Sequence, residues 1–171
     1  MGCLLIEGIV GVCQYSTSGA ERLWLANKSQ VTGVTYNTIG EVTGITFSSG
    51  SAFYEIESAL DTITFSDDLV VNGARRNFLQ TVNFALGSIE ADILEELETI
   101  GLSNMVAIVK GADGLYRLFG AKGAGLRTTV MTDASGTQAG NDASVGATIA
   151  GSSTGKASFL ATALPATLGL V

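Results

Sequence analysis

The sequence predicts a mostly-β chain with one amphipathic helix. Periodicity is the first reason: Ile89, Ile93, Leu94, Leu97 and Ile100 recur at helical spacing and make one apolar stripe, which no other stretch matches. Second, the other apolar residues fall in short β-branched and aromatic runs broken by Gly, Asn, Asp and Ser, the pattern of strands and turns. Third, Asn72-Gly73 separates two long runs, and that dipeptide supplies the positive φ angles of a tight hairpin.

The elements follow in order. Residues 3–12 are apolar and read as a first strand or an arm; they carry Glu7, lack a basic leader and are too short to span a bilayer. After Met1-Gly2, Ile6 stands where a myristoylation signal wants Ser or Thr. A strand over 22–26 puts Trp24 on one face and Leu23 and Leu25 on the other. Strands over 31–36 and 42–47 flank a turn at 37–40, and the alternating Thr residues of the second place it near a solvated face. Residues 53–57 form the next strand, with Phe53 and Glu55 opposite Tyr54 and Ile56. Residues 62–71 and 74–86 are the arms of the hairpin turned by Asn72-Gly73.

The helix covers 88–100. Ser88 is its N-cap, Glu90 and Asp92 sit at the positive end of its dipole, and Gly101 is placed to end it in the left-handed conformation. A second hairpin follows: 105–110, a turn at Gly111-Ala112-Asp113-Gly114, and 115–119. Strands over 126–132, 143–149 and 156–160 close the set, with a polar loop over 133–142. Residues 157–171 have no charge and carry Phe159, Leu160, Leu164, Leu168, Leu170 and Val171. Left in water such a tail invites aggregation, so it is expected to pack on a neighbouring copy or add a strand to one.

Composition limits what the chain does. Its 171 residues suit one domain with a core of its own. Charged residues are only 15%, against roughly 25% in ordinary soluble domains, so much of the surface is expected to be covered by copies or partners. A net charge of −7 argues against a protein that grips nucleic acid phosphates. Two cysteines, Cys3 and Cys13, read as buried thiols in a reducing cytoplasm rather than a disulfide framework.

No catalytic, cofactor-binding or metal-binding residue is expected. There is no His, which removes the commonest general base and metal ligand. Gly151–Ala157 only approximates a phosphate loop: the glycine spacing is one residue short, and Ala157 replaces the Ser or Thr that would ligate magnesium. Asp67 and Asp68 point to opposite faces of a strand, and the carboxylates of the helix read as a solvated face.

In order and spacing, several segments resemble the tail tube proteins of tailed bacteriophages, in particular the kind found in phages of Bacteroidetes-type hosts. These are Arg22-Leu23-Trp24-Leu25-Ala26-Asn27, Phe53-Tyr54-Glu55-Ile56-Glu57, Phe65-Ser66-Asp67-Asp68-Leu69, Asn72-Gly73 with 78–86, the acidic-faced helix, 106–120 with Gly125-Leu126-Arg127, and Ala139-Gly140-Asn141-Asp142. The resemblance runs from about Ala20 to Gly146; the uncharged tail and the scarcity of Lys depart from it. It implies two packed antiparallel sheets, a sandwich or barrel, with one flanking helix. It also implies hexameric rings of the chain that stack into a tube, other tail proteins at the tube ends, and DNA passing through the lumen without specific binding. The expected location is the virion tail, after assembly in the host cytoplasm, with no membrane involved.

Ring-to-ring contacts are expected from the tail (Phe159, Leu160, Leu164, Leu168, Leu170, Val171) and from the loop after the strand over 126–132 (Asp133, Thr137, Asn141), and more weakly from the loop between Glu57 and Thr62. Two alternatives stand beside the tail tube. One is another ring-forming virion part: a terminator, a neck or connector ring, or the inner tube of a contractile apparatus. The other is a carbohydrate- or surface-binding β-sandwich module, which needs aromatic residues exposed together.

Overall fold

The computed structural model describes residues 19–58, 62–86, 91–134, 144–168 and 170. The chain is mainly β, with antiparallel sheets packed together, as the sequence predicts. Among the described residues, eleven strands and two α-helices follow in order: β1 Ala20–Asn27, β2 Val31–Tyr36, β3 Val42–Phe47, β4 Tyr54–Ile56, β5 Thr64–Asn72, β6 Arg75–Leu86, α1 Ala91–Leu102, β7 Met105–Gly111, β8 Tyr116–Phe119, β9 Arg127–Ala134, β10 Ser144–Ser153, β11 Ser158–Phe159 and α2 Leu164–Thr167. They form a five-stranded sheet ordered β11-β8-β7-β1-β4, a four-stranded sheet ordered β5-β6-β10-β9, and a separate β2-β3 pair.

Alternation along β1 and β7 builds two cores. Leu23 and Leu25 of β1, with Met105, Ala107 and Val109 of β7, face the four-stranded sheet and meet Val82 and Phe84 of β6 and Val145 and Ile149 of β10. Trp24 of β1, with Val106 and Ile108 of β7, faces the other way, against Val42 of β3 and the C-terminal Leu160, Leu164 and Leu170. The five-stranded sheet is therefore the middle layer, and strands buried on both faces read as near-continuous apolar runs. The split of Trp24 from Leu23 and Leu25 is the one expected from the sequence.

The sheets are stitched at one corner by the connection after β8. Met105 and Leu126 exchange backbone hydrogen bonds of 2.7 Å. Buried Gln80 accepts from the Gly120 amide at 2.9 Å and donates to the Gly155 carbonyl at 3.4 Å, so its amide is satisfied at both ends. Gly120 has φ +77°, and a Cβ there would lie 2.9 Å from the Met105 carbonyl; only glycine fits.

Four local expectations change. The tight turn of the β5–β6 hairpin falls on Gly73-Ala74, because Asn72 pairs with Arg75; Gly73, at φ +61°, takes the first central position. Gly101 does not end α1, which continues to Leu102. Gly101 does not have a positive φ, a Cβ there would make only an ordinary contact with Met131 of β9 at 3.6 Å, and Thr128 of β9 donates to the Ile100 carbonyl at 3.1 Å. Leu97 and Ile100 are in the core as the stripe predicts, while Ser88, Ile89 and Glu90 lie outside the described residues, as does the segment over 3–12. The β2–β3 hairpin is a small sheet of its own, and α2 is an element the sequence reading leaves out.

The fourth change concerns the tail. Leu160, Leu164 and Leu170 belong to this subunit's own second core. The Leu160 amide donates to the Tyr116 carbonyl and that of Ala161 to Val42, so the tail lies across β8 and β3. Deleting 157–171 therefore opens a core, rather than trimming an appendage from an intact subunit.

Leu164→Ala is expected to cost about 2–5 kcal/mol of stability, as for other buried leucines, measured by urea denaturation. A loss below about 0.5 kcal/mol, typical of surface positions, would show that the tail does not complete the second core.

Candidate assembly surfaces

The register of the four-stranded sheet fixes what its outward face presents. Phe65, Val82, Ala147 and Ile149 turn inward. Their neighbours turn outward: Thr64, Ser66 and Asp68 of β5, Leu79, Thr81 and Asn83 of β6, Thr148 and Ala150 of β10, and Arg127, Val130 and Thr132 of β9. Asp68 and Arg127 are the ionisable residues among them, and the Arg127 guanidinium donates to Asn104 at 3.1 Å.

The polar groups of this face largely satisfy one another. Asn83 donates to the Thr64 hydroxyl at 3.0 Å, and Ser66 donates to Asp68 at 2.8 Å. Thr129 and Thr132 of β9 donate back to the carbonyls of Thr148 and Gly146 on β10. The result is a surface of small side chains with few donors left for a ligand.

Both edges of this sheet are, among the described residues, unpaired, and each strand exposes some apolar side chains. On β5, Leu69 and Val71 are 54% and 59% exposed, with Val70 between them; on β9, Val130 is 51% exposed. Exposed apolar strand edges promote pairing with another chain, and natural proteins normally blunt them. The β5–β6 hairpin also extends past the rest of the sandwich: every residue from Asp68 to Arg76 is exposed. Arg75 and Arg76 at its tip make no ion pair among the described residues. We refer to this extension as the arm.

A groove of about 410 Å³ opens between β4, the other edge of the middle sheet, and the C-terminal half of α1. Leu25, Ile56, Ile100 and Met105 contribute its apolar lining, and Glu55 and Thr99 its polar one. Elsewhere, Lys28 donates to the Ala121 carbonyl at 3.0 Å, and Lys122 lies 5.2 Å from the Tyr36 ring centre. Burial raises the Tyr36 phenol above its ordinary pKa.

The residues expected at ring contacts divide. Phe159 is exposed, and the Arg117 guanidinium lies 5.0 Å from its ring and 5.1 Å from that of Phe65. Leu168 packs half-buried against the second core, whose members include Leu160, Leu164 and Leu170. Asp133 sits near the end of β9, opposite Val145; Thr137, Asn141 and Val171 lie outside the described residues. The edges and the arm were missed as sites, although the apolar triplet Leu69-Val70-Val71 beside a hairpin signal could have marked them.

Among the described residues no group of three or more His, Cys, Asp or Glu converges, and no helix is long and apolar enough to cross a membrane. The chain matches no protein-family model, no curated protein and no solved structure.

One carboxylate here is clearly shifted. Burial pushes the Asp113 carboxyl up, but the Leu115 amide and the Arg117 guanidinium at 2.5 Å outweigh it and hold the pKa below the ordinary value. A depressed carboxylate stabilises the fold above its unfolded pKa, and the contribution is lost as pH falls through the folded one. Asp113→Asn should thus be slightly less stable at neutral pH, by less than about 1 kcal/mol for so accessible a pair. The gap to the parent should close in acid; denaturation midpoints across that range that stay equally far apart would refute it.

Proposed function

We propose that this chain is a structural protein of a bacteriophage tail that assembles into rings, the rings stacking into a tube that conducts DNA. The observation that carries the reading is the four-stranded sheet, with two open edges and an outward face of mostly small side chains whose hydroxyls and amides largely satisfy one another. Joined edge to edge around a ring, β5 of one copy beside β9 of the next, such sheets close into one barrel and leave no open edge. The face turned to the lumen would then present few cations, Arg127 among them, and a net charge of −7 for the chain would favour repulsion of phosphates. The sixfold symmetry is what the resemblance implies.

The burial of Trp24, Phe84 and Phe119 favours this reading over a glycan-binding module, which would keep its aromatics in solvent. On this reading the chain is not an enzyme and needs no cofactor; its partners are copies of itself and the proteins at the tube ends. It works in the virion after assembly in the host cytoplasm.

Negative-stain electron microscopy of the purified chain, beside its mass in solution, is the direct test, with open-centred rings or tubes expected. Val130→Lys puts a charge into an exposed strand edge and is expected to abolish them while leaving the melting temperature unchanged. Normal tubes from that variant would refute the edge-to-edge barrel.

A further inference from the structure

Below the hairpin tip, the outward face of the four-stranded sheet carries one ionisable residue on each open edge, and the two have opposite signs. Asp68 lies on β5 and Arg127 on β9. Neither takes part in an ion pair among the described residues. Asp68 accepts from Ser66 at 2.8 Å, and Arg127 donates through Nε to Asn104 at 3.1 Å. One carboxylate oxygen of Asp68 and the terminal guanidinium nitrogens of Arg127 are left unengaged among the described residues.

The pairs across the sheet fix their relative height. Arg127 pairs with Ala150, Ala150 with Thr81 and Thr81 with Ser66, so Arg127 is level with Ser66. Asp68 is the next outward position along β5. Because the four strands alternate in direction, β5 and β9 are antiparallel. A copy related by rotation about an axis along the strands therefore brings its β9 beside β5 as an antiparallel pair, with the same face outward. A barrel closes only with a stagger between strands. Two residues of stagger per copy, toward the hairpin tip, set Arg127 of one copy directly opposite Asp68 of the next; without stagger the two are diagonal neighbours, still within reach of a long side chain.

Resting on the assembly reading above, we propose that Asp68 of one copy and Arg127 of the next form an ion pair across the ring seam, and that this pair sets the register in which β5 and β9 join. The competing arrangement is a two-fold pairing of β5 with a second β5. Asp68 is the midpoint of β5, so at full overlap that arrangement sets carboxylate against carboxylate, and like charges directly opposite are destabilising. Opposite charges on the two edges select the heterologous contact, which repeats around a ring. The small hydroxyl and amide side chains of the remaining face specify register only weakly, so a charge pair is what discriminates one alignment from the next.

The test is charge reversal in the full chain, read by sedimentation velocity, with circular dichroism confirming the fold of each variant. Asp68→Arg and Arg127→Asp, made singly, are expected to weaken self-association about tenfold, because like charges then meet at every seam. Made together they rebuild the pair with its signs exchanged, and association should return close to the parent level. Single reversals without effect, or a double variant no better than the worse single one, overturn the pair. Val130→Lys separates this from the assembly reading: if it blocks association while the charge reversals do nothing, the edges join in another register and the pair is refuted alone. A parent chain that stays monomeric at high concentration overturns the pair and the assembly reading together.

Discussion

The structure depends on one sheet having no face left for water. In β1 every residue from Leu23 to Ala26 is buried, and in β7 every residue from Met105 to Val109. Because side chains alternate, these two strands must satisfy two different surroundings at once, with Leu23 and Val109 on one side and Trp24 and Ile108 on the other. A slip of one residue in their pairing would exchange the contents of the two cores, so the antiparallel register is specified from both sides. The other layers take their positions from it. The four-stranded sheet and α1 cover one face, and the β2–β3 hairpin and the tail cover the other.

Much of this was legible in the sequence because it is local. The bounds of β2 and β3, the Gly111–Gly114 turn of the second hairpin, the buried stripe of α1 and the two faces of β1 all follow from period and turn chemistry within a few residues. What was not legible is long-range. An uncharged tail with regularly placed leucines reads the same whether its own chain or a neighbour covers it. The answer lies in Val42 and Tyr116, far away in sequence, whose carbonyls accept its amides. Gly101 misled as well: a glycine at a helix end suggests a left-handed cap, but α1 runs on to Leu102 and Gly101 has no positive φ. The β2–β3 hairpin was read correctly as strands, yet nothing local says that it forms no pairs with the larger sheets.

The low charge of the chain has two physical sources. Part of it is the tail, which needs no charge because it is core. Another part lies where apolar residues remain in solvent, among them Leu69, Val70 and Val71 on β5 and Val130 and Met131 on β9, along opposite edges of a single sheet. Ile39, Tyr54, Leu102 and Leu115 are exposed elsewhere and singly, which means little, whereas those on β5 and β9 adjoin the two open edges of one sheet. The outward face between those edges is the opposite kind of surface, with hydroxyls returned to backbone carbonyls.

The position of the second core's cover has a kinetic side. Trp24, Val106 and Ile108 are sealed by Leu160, Leu164 and Leu170, which are synthesised after every strand they cover. Contacts so distant along the chain form slowly, since the intervening loop must be closed before they are rewarded. A growing or newly released chain thus presents an unfinished apolar face until the tail arrives. Until the tail closes that face, whichever apolar segment reaches it first, its own or another copy's, can occupy it.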